Sequence, residues 1–173
     1  PNYGVFDERR YFVPGEAPVV LRLGSVSLGL TICEDIWCAN GPAESAFRAG
    51  AQAVLNISAS PYHARKHYQR EALIRSLARR CETPVCYVNL VGGQDELVFD
   101  GASVVVDRQG RVVARARQFE EELLVVDIDV PGGRRGSAHA GGVRVVDVPM
   151  PKPEVQRVRV VPSRARPLPR WAE

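Results

Sequence analysis

Short apolar runs separated by turn residues fill the chain from residue 18 to residue 130. Residues 18–23 and 26–32 are two such runs, divided by Gly24-Ser25, and predict two strands joined by a hairpin-like break. Gly41-Pro42 then opens a short helix over 43–49, with Gly50 as its stop. Residues 53–57 read as a strand. Residues 64–81 read as a long helix, because Leu73, Leu77 and Cys81, and Ile74 and Ala78, recur four apart on one face. Arg70, Arg75, Arg79 and Arg80 are expected mostly elsewhere on that helix. A strand over 85–90 follows, then two strands over 102–106 and 112–116 about the turn Asp107-Arg108-Gln109-Gly110, and a last strand over 123–130. The order predicts an α/β chain with a mixed β-sheet.

Beyond Pro131-Gly132-Gly133 the periodicity dissolves. Pro149, Pro151, Pro153, Pro162, Pro167 and Pro169 predict an extended connector over 131–173. Charge divides at the same place. Residues 1–130 carry a net −3 and residues 131–173 a net +6. The basic stretch has one aromatic, Trp171, and so lacks the row of stacking rings that suits single-stranded nucleic acid. A solvated arm is the expectation, with no nucleic-acid partner.

The chain is 45% hydrophobic and 25% charged, which is ordinary for a globular protein with a core. No apolar run approaches the roughly 20 residues that span a bilayer, so no membrane contact is expected. The four cysteines, at 33, 38, 81 and 86, lack the two-residue spacing of zinc knuckles, and no metal site is expected. With no secretion signal, a reduced, cytoplasmic setting is expected.

The strand over 26–32 stops at Cys33-Glu34-Asp35. A thiol at a strand tip can meet a substrate, and a thiolate there can attack a carbonyl or nitrile carbon. Free cysteine also serves commonly as a small buried hydrophobe. Two neighbouring acids raise a thiol's pKa unless a cation offsets them, and the local sequence supplies no cation.

Three strings carry a family resemblance: residues 1–12, with Pro1-Asn2-Tyr3-Gly4-Val5-Phe6-Asp7-Glu8; residues 31–37, with Thr31-Ile32-Cys33-Glu34-Asp35-Ile36-Trp37; and residues 89–101, with Gly92-Gly93-Gln94-Asp95-Glu96-Leu97-Val98-Phe99-Asp100-Gly101. Together they resemble the glutamine-amidotransferase domains of glutamine-dependent NAD+ synthetases, within the nitrilase, or carbon–nitrogen hydrolase, superfamily. The resemblance runs to about Asp129. It implies the C-terminal part of an αββα sandwich over 1–130, a connector over 131–173 towards a synthetase domain, and assembly as a homo-oligomer.

The resemblance also implies glutamine hydrolysis by a Glu-Lys-Cys triad. Cys33 matches the nucleophile. Glu8 matches a second glutamate that supports the lysine. Tyr3, Phe6, Glu34 and Ser60 match glutamine-binding positions, with Glu34 on the substrate's α-amino group. The segment 89–101, where Gly92-Gly93 breaks the strand for a tight turn, lies near the pocket and the ammonia path. No cofactor is implied here; ATP and magnesium belong with deamido-NAD+ in the synthetase domain. The family's lysine precedes the Pro-Asn-Tyr-Gly string and its general-base glutamate lies further upstream. A sequence opening at Pro1 therefore reads as an internal stretch, inactive and poorly soluble alone. A stand-alone amidase or nitrilase, and a non-catalytic oligomerisation module, are the alternative readings.

Overall fold

The computed structural model describes residues 7–132 and 142–149. Seven strands form one mixed sheet: β1 (Val19–Leu23), β2 (Val26–Ile32), β3 (Ala53–Ser58), β4 (Val85–Asn89), β7 (Val104–Val106), β8 (Val112–Arg115) and β9 (Arg144–Val148). Their order is β8-β7-β4-β3-β2-β1-β9. Strands β2, β3 and β4 are parallel, and β1, β7 and β8 join by antiparallel pairing. Between them, β5 (Val91–Gln94) and β6 (Leu97–Asp100) form a separate hairpin.

Two helices make the parallel crossovers, α1 (Pro42–Arg48) from β2 to β3 and α2 (Lys66–Cys81) from β3 to β4. Successive right-handed crossovers stepping in one direction lay their helices on one side of the sheet. Ala43 of α1 and Ile74, Leu77, Ala78 and Cys81 of α2 accordingly share one core with Val54, Val85, Tyr87, Val104 and Val106. Gly29 lets α1 approach β2 closely; a Cβ built there would stand 2.7 Å from the Ala46 Cβ.

Strand residues alternate between faces. The face away from the helices carries Leu28, Leu30 and Ile32 of β2, Leu55 and Ile57 of β3, and Cys86 and Val88 of β4. It is apolar yet open, with Ile32 70% and Ile57 61% exposed. Parallel strands are usually covered on both faces.

Five sequence expectations need correction. Residues 123–130 form no strand; Leu123 and Val125 are exposed, and the sheet edge beside β1 is taken by β9 instead. β9 lies inside the stretch read as an extended connector. Arg144-Val145-Val146-Asp147-Val148 is a β-rich run, Val143 just before it packs against the small core cluster of Val20, Ala46, Ala49 and Ala51, and Arg22 pairs with Asp147 at 3.1 Å. Gly92 and Gly93 do not break a strand but lie within β5, with the turn at Asp95-Glu96. Gly92 has φ +143°, which a glycine adopts readily. The long helix starts at Lys66, because Arg65 is left-handed at φ +65°. Arg70 belongs to its buried face, three and four residues from Leu73 and Ile74.

Candidate active site

The carboxyl ends of β2 and β3 build the site. Past Ile32 the chain turns through a 3-10 segment, Cys33–Ile36, closed by the Ile32 N–H donating to Asp35 Oδ2 at 2.9 Å. Cys33 stands at φ +46°, a left-handed conformation that costs a non-glycine residue about 1–2 kcal/mol. Such outliers concentrate at functional positions. Here the bend takes the thiol out of the sheet at the strand tip.

Buried polar side chains hold the bend. Asn56, fully buried on β3, donates from Nδ2 to the Thr31 hydroxyl at 3.0 Å and to the Cys33 carbonyl at 3.4 Å. Ser58 Oγ donates to Asn56 Oδ1 at 2.7 Å. The backbone N–H groups of Ala59 and Glu34 lie near enough to the half-buried Cys33 thiol to favour its thiolate. Burial pushes the thiol up, those two donors oppose the rise, and the Glu8 carboxylate adds to it. No lysine, arginine or histidine side chain among the described residues lowers it.

Four of the six residues singled out from the sequence gather here. Glu8 stands on a 3-10 turn, Glu8–Arg10, close enough for its charge to act on Cys33. Glu34 is half-buried beside Cys33, and its carbonyl accepts from the Trp37 N–H at 2.8 Å. Ser60 is buried, and its N–H donates to Asn89 Oδ1 at 2.8 Å. Its carbonyl accepts from Asn89 Nδ2 at 3.4 Å and from Arg70 Nη1 at 3.5 Å. Tyr3 and Phe6 lie outside the described residues. At the rim, the Lys66 ammonium sits 4.4 Å from the centre of the Trp37 ring, a cation–π contact.

Sequence reasoning missed Asn56, Asn89, Arg70 and Asp100. Arg70 is 2% exposed and Asp100 fully buried, and Arg70 Nη2 reaches both carboxylate oxygens at 2.5 and 2.6 Å. Burial alone would raise the Asp100 carboxyl, but Arg70 and Gln118, whose Nε2 donates to Oδ2 at 2.9 Å, bring it below the usual range. A signal was present: Asn56 and Asn89 interrupt apolar strands, and Arg70 continues the apolar stripe of α2. The Tyr87 hydroxyl is buried in the same region without a hydrogen bond of good geometry. Among the described residues no group of three or more His, Cys, Asp or Glu side chains is arranged to hold a metal ion, and no helix is long and apolar enough to cross a membrane.

Residues 1–135 match the family described as carbon-nitrogen hydrolase. The chain is similar to the glutamine-dependent NAD(+) synthetase of Thermotoga maritima, 48% identical over 138 residues covering 79% of this chain and 24% of that protein. It is similar to the Xylella fastidiosa protein of the same name, 50% identical over 129 residues covering 73% and 24%. The chain thus spans about a quarter of the length of these curated relatives. Among solved structures it resembles the glutamine-dependent NAD+ synthetase of Acinetobacter baumannii, with a TM-score of 0.68 and 39% identity over 70% of this chain and 23% of that one. It also resembles the amidase of a Nesterenkonia species, solved as a mutant in complex with butyramide, with a TM-score of 0.60 and 31% identity over 68% and 44%. Another form of that amidase carries the acetamide moiety of fluoroacetamide on its active-site cysteine.

Proposed function

The chain belongs to the carbon–nitrogen hydrolase family, and from that premise we propose that it is the glutaminase part of a glutamine-dependent NAD+ synthetase. The observation that carries this reading is Cys33 at the tip of β2, bent out of the strand by a left-handed backbone that the buried Asn56 holds through the Cys33 carbonyl.

Cys33 Sγ attacks the carboxamide carbon of glutamine after its proton passes to a base. The tetrahedral adduct collapses, the C–N bond breaks, and the nitrogen leaves as ammonia with that proton. Water then cleaves the glutamyl thioester to glutamate and restores the thiol. As in the resembling domains, the N–H after Cys33 stabilises the oxyanion of the adduct, an interaction that strengthens as charge develops. In the resembling domains, a lysine and a glutamate that precede the Pro1–Tyr3 string complete the triad. That lysine answers the rise that burial and Glu8 impose on the thiol. Glu34 takes the substrate's α-amino group, and Tyr3, Phe6 and Ser60 line the pocket.

Residues 1–130 form the hydrolase portion, and 131–173 lead towards a synthetase domain that uses the ammonia on deamido-NAD+. ATP and magnesium act in that domain, and no residue of this chain is assigned to them. The protein works as a cytoplasmic homo-oligomer. A second reading, an amidase acting on a simple amide, draws support from the likeness to the Nesterenkonia amidase. The higher identity to the synthetases favours the first.

The test is to incubate the full-length protein with 6-diazo-5-oxo-L-norleucine, a glutamine analogue that alkylates nucleophilic cysteines. Mass spectrometry should find the adduct on Cys33, with glutamine protecting against it. An unlabelled Cys33, or labelling that glutamine leaves unchanged, contradicts the reading.

A further inference from the structure

A chain of polar contacts runs from the backbone beside Cys33 to Arg70 on the buried face of α2, and from there to Asp100 and Gln118. Residues 58–60 are tied to Cys33 by Ser58 Oγ, which donates to Asn56 Oδ1 at 2.7 Å, and by Asn56 Nδ2, which donates to the Cys33 carbonyl at 3.4 Å; the Ala59 N–H also acts on the thiol, so the thiol's surroundings depend on where this backbone lies. That backbone has no strand partner beyond Ser58 and is held one group at a time. The Ser58 carbonyl accepts from the Leu90 N–H at 2.9 Å. The Ser60 N–H donates to Asn89 Oδ1 at 2.8 Å. The Ser60 carbonyl is held by Asn89 Nδ2 and, at 3.5 Å, by Arg70 Nη1.

Arg70 is itself fixed from behind. Its Nη2 reaches both oxygens of Asp100 at the end of β6, and Gln118 Nε2 holds Asp100 Oδ2 at 2.9 Å. A planar guanidinium can serve a carbonyl with one nitrogen and a carboxylate with another, which a lysine ammonium cannot do in the same geometry. A buried ion pair of this kind is weak evidence for stability, because an apolar pair often serves as well. Its geometry here points to another role.

We propose that Arg70, locked by Asp100 and Gln118, is a positioning residue for the nucleophile: it pins the Ser60 carbonyl, and thereby holds the Ala59 N–H against the Cys33 sulfur. The relay ties three distant segments, α2, the end of β6 and the residue after Arg117, to one donor at the thiol. The inference rests on Cys33 as the nucleophile and not on glutamine as its substrate.

Glu34 and Asp35 share the thiol's own turn, and the carboxylate of Glu8 on the first 3-10 turn acts on the thiol. None of them is altered by changes at Arg70 or Gln118. A hydrogen-bond donor to a thiolate lowers the thiol's pKa, so loosening Ala59 should raise it.

The test measures the rate at which iodoacetamide alkylates Cys33 against pH, in the full-length protein and in its Arg70→Lys and Gln118→Leu variants, with thermal melting alongside. Arg70→Lys keeps the charge and removes the fork. The expected result is a profile moved upward by about one pH unit, hence alkylation about tenfold slower at neutral pH, with the high-pH plateau unchanged. Gln118→Leu should move it in the same direction by less. A folded Arg70→Lys protein with the unaltered profile overturns the proposal. Should Arg70→Lys fail to fold, Gln118→Leu decides, and an unaltered profile there overturns it. A shift of the plateau rate alone also overturns it, since that reports access to the thiol and not its ionisation. Glutamine takes no part, so a failed glutaminase assay leaves this result standing.

Discussion

The side chain of Asn56, fully buried on β3, donates to the carbonyl oxygen of Cys33 on the neighbouring strand's turn at 3.4 Å. The same nitrogen reaches the Thr31 hydroxyl at 3.0 Å, and Asn56 Oδ1 accepts from Ser58. One side chain thereby ties the left-handed bend at Cys33 to the strand that presents Ala59. Asn56→Ala leaves two hydroxyls and a carbonyl without this partner. It should cost about 1–3 kcal/mol, measured by urea unfolding. An unchanged unfolding midpoint would show that the bend at Cys33 is held by other means.

The close approach of α1 to β2 predicts a second cost. Gly29→Ala would set a methyl 2.7 Å from the Ala46 Cβ and 3.3 Å from the Ala51 Cβ. Overpacking of this kind costs about 1–3 kcal/mol, because backbone elements must separate. Paired with Ala46→Gly, which vacates the contact, Gly29→Ala should recover part of the loss; a purely additive pair would argue against direct packing.

Most of the sheet was legible because its strands are apolar runs bounded by turn residues. The Asp107–Gly110 hairpin followed from its turn chemistry: Asp107 Oδ1 accepts from the Gln109 and Arg111 N–H groups, each at 2.9 Å. The misreadings share a cause. Residues 123–130 have strand-like composition, but strand formation needs a free edge, and β9 holds the edge at β1. β9 itself is a short run in a Pro- and Arg-rich stretch, and its pairing partner lies over a hundred residues away. Cys33 was legible as a candidate from Cys-Glu-Asp at a strand end. Its left-handed backbone, and the donors from Ala59 and Glu34, were not, since they depend on where β3 ends in space. Arg70 was discounted because arginine is seldom buried without a partner, and its partner, Asp100, is thirty residues on.

Asp100 makes stability depend on acid. Its carboxyl is held below its ordinary value in the folded protein by Arg70 and Gln118, against the opposing effect of burial. The folded state then binds fewer protons than the unfolded state as pH falls through the unfolded value, near 3.9, so stability drops there and is lost through the folded value. Asp100→Asn should flatten this part of the dependence. Urea midpoints at pH 5, 4 and 3 check it, and parallel slopes for the two proteins would contradict it.

The open sheet face predicts association. Ile57 is 61% and Val88 56% exposed on neighbouring strands, amid Leu28, Leu30 and Leu55. Contiguous apolar surface of this kind seeks cover. The 173-residue chain made by itself should self-associate in sedimentation-velocity runs, and Ile57→Lys with Val88→Glu should shift it towards monomer. A wild-type chain that stays monomeric at high concentration would contradict this reading of the face.

The central claim, that Cys33 releases ammonia from glutamine for a synthetase, is tested most directly by nitrogen-source dependence. NAD+ formation by the full-length protein would be followed with glutamine or with ammonium, in the wild type and in Cys33→Ala. The account predicts that Cys33→Ala loses glutamine-dependent formation and retains formation from ammonium. Retained use of glutamine, or equal loss with both nitrogen sources, would contradict it.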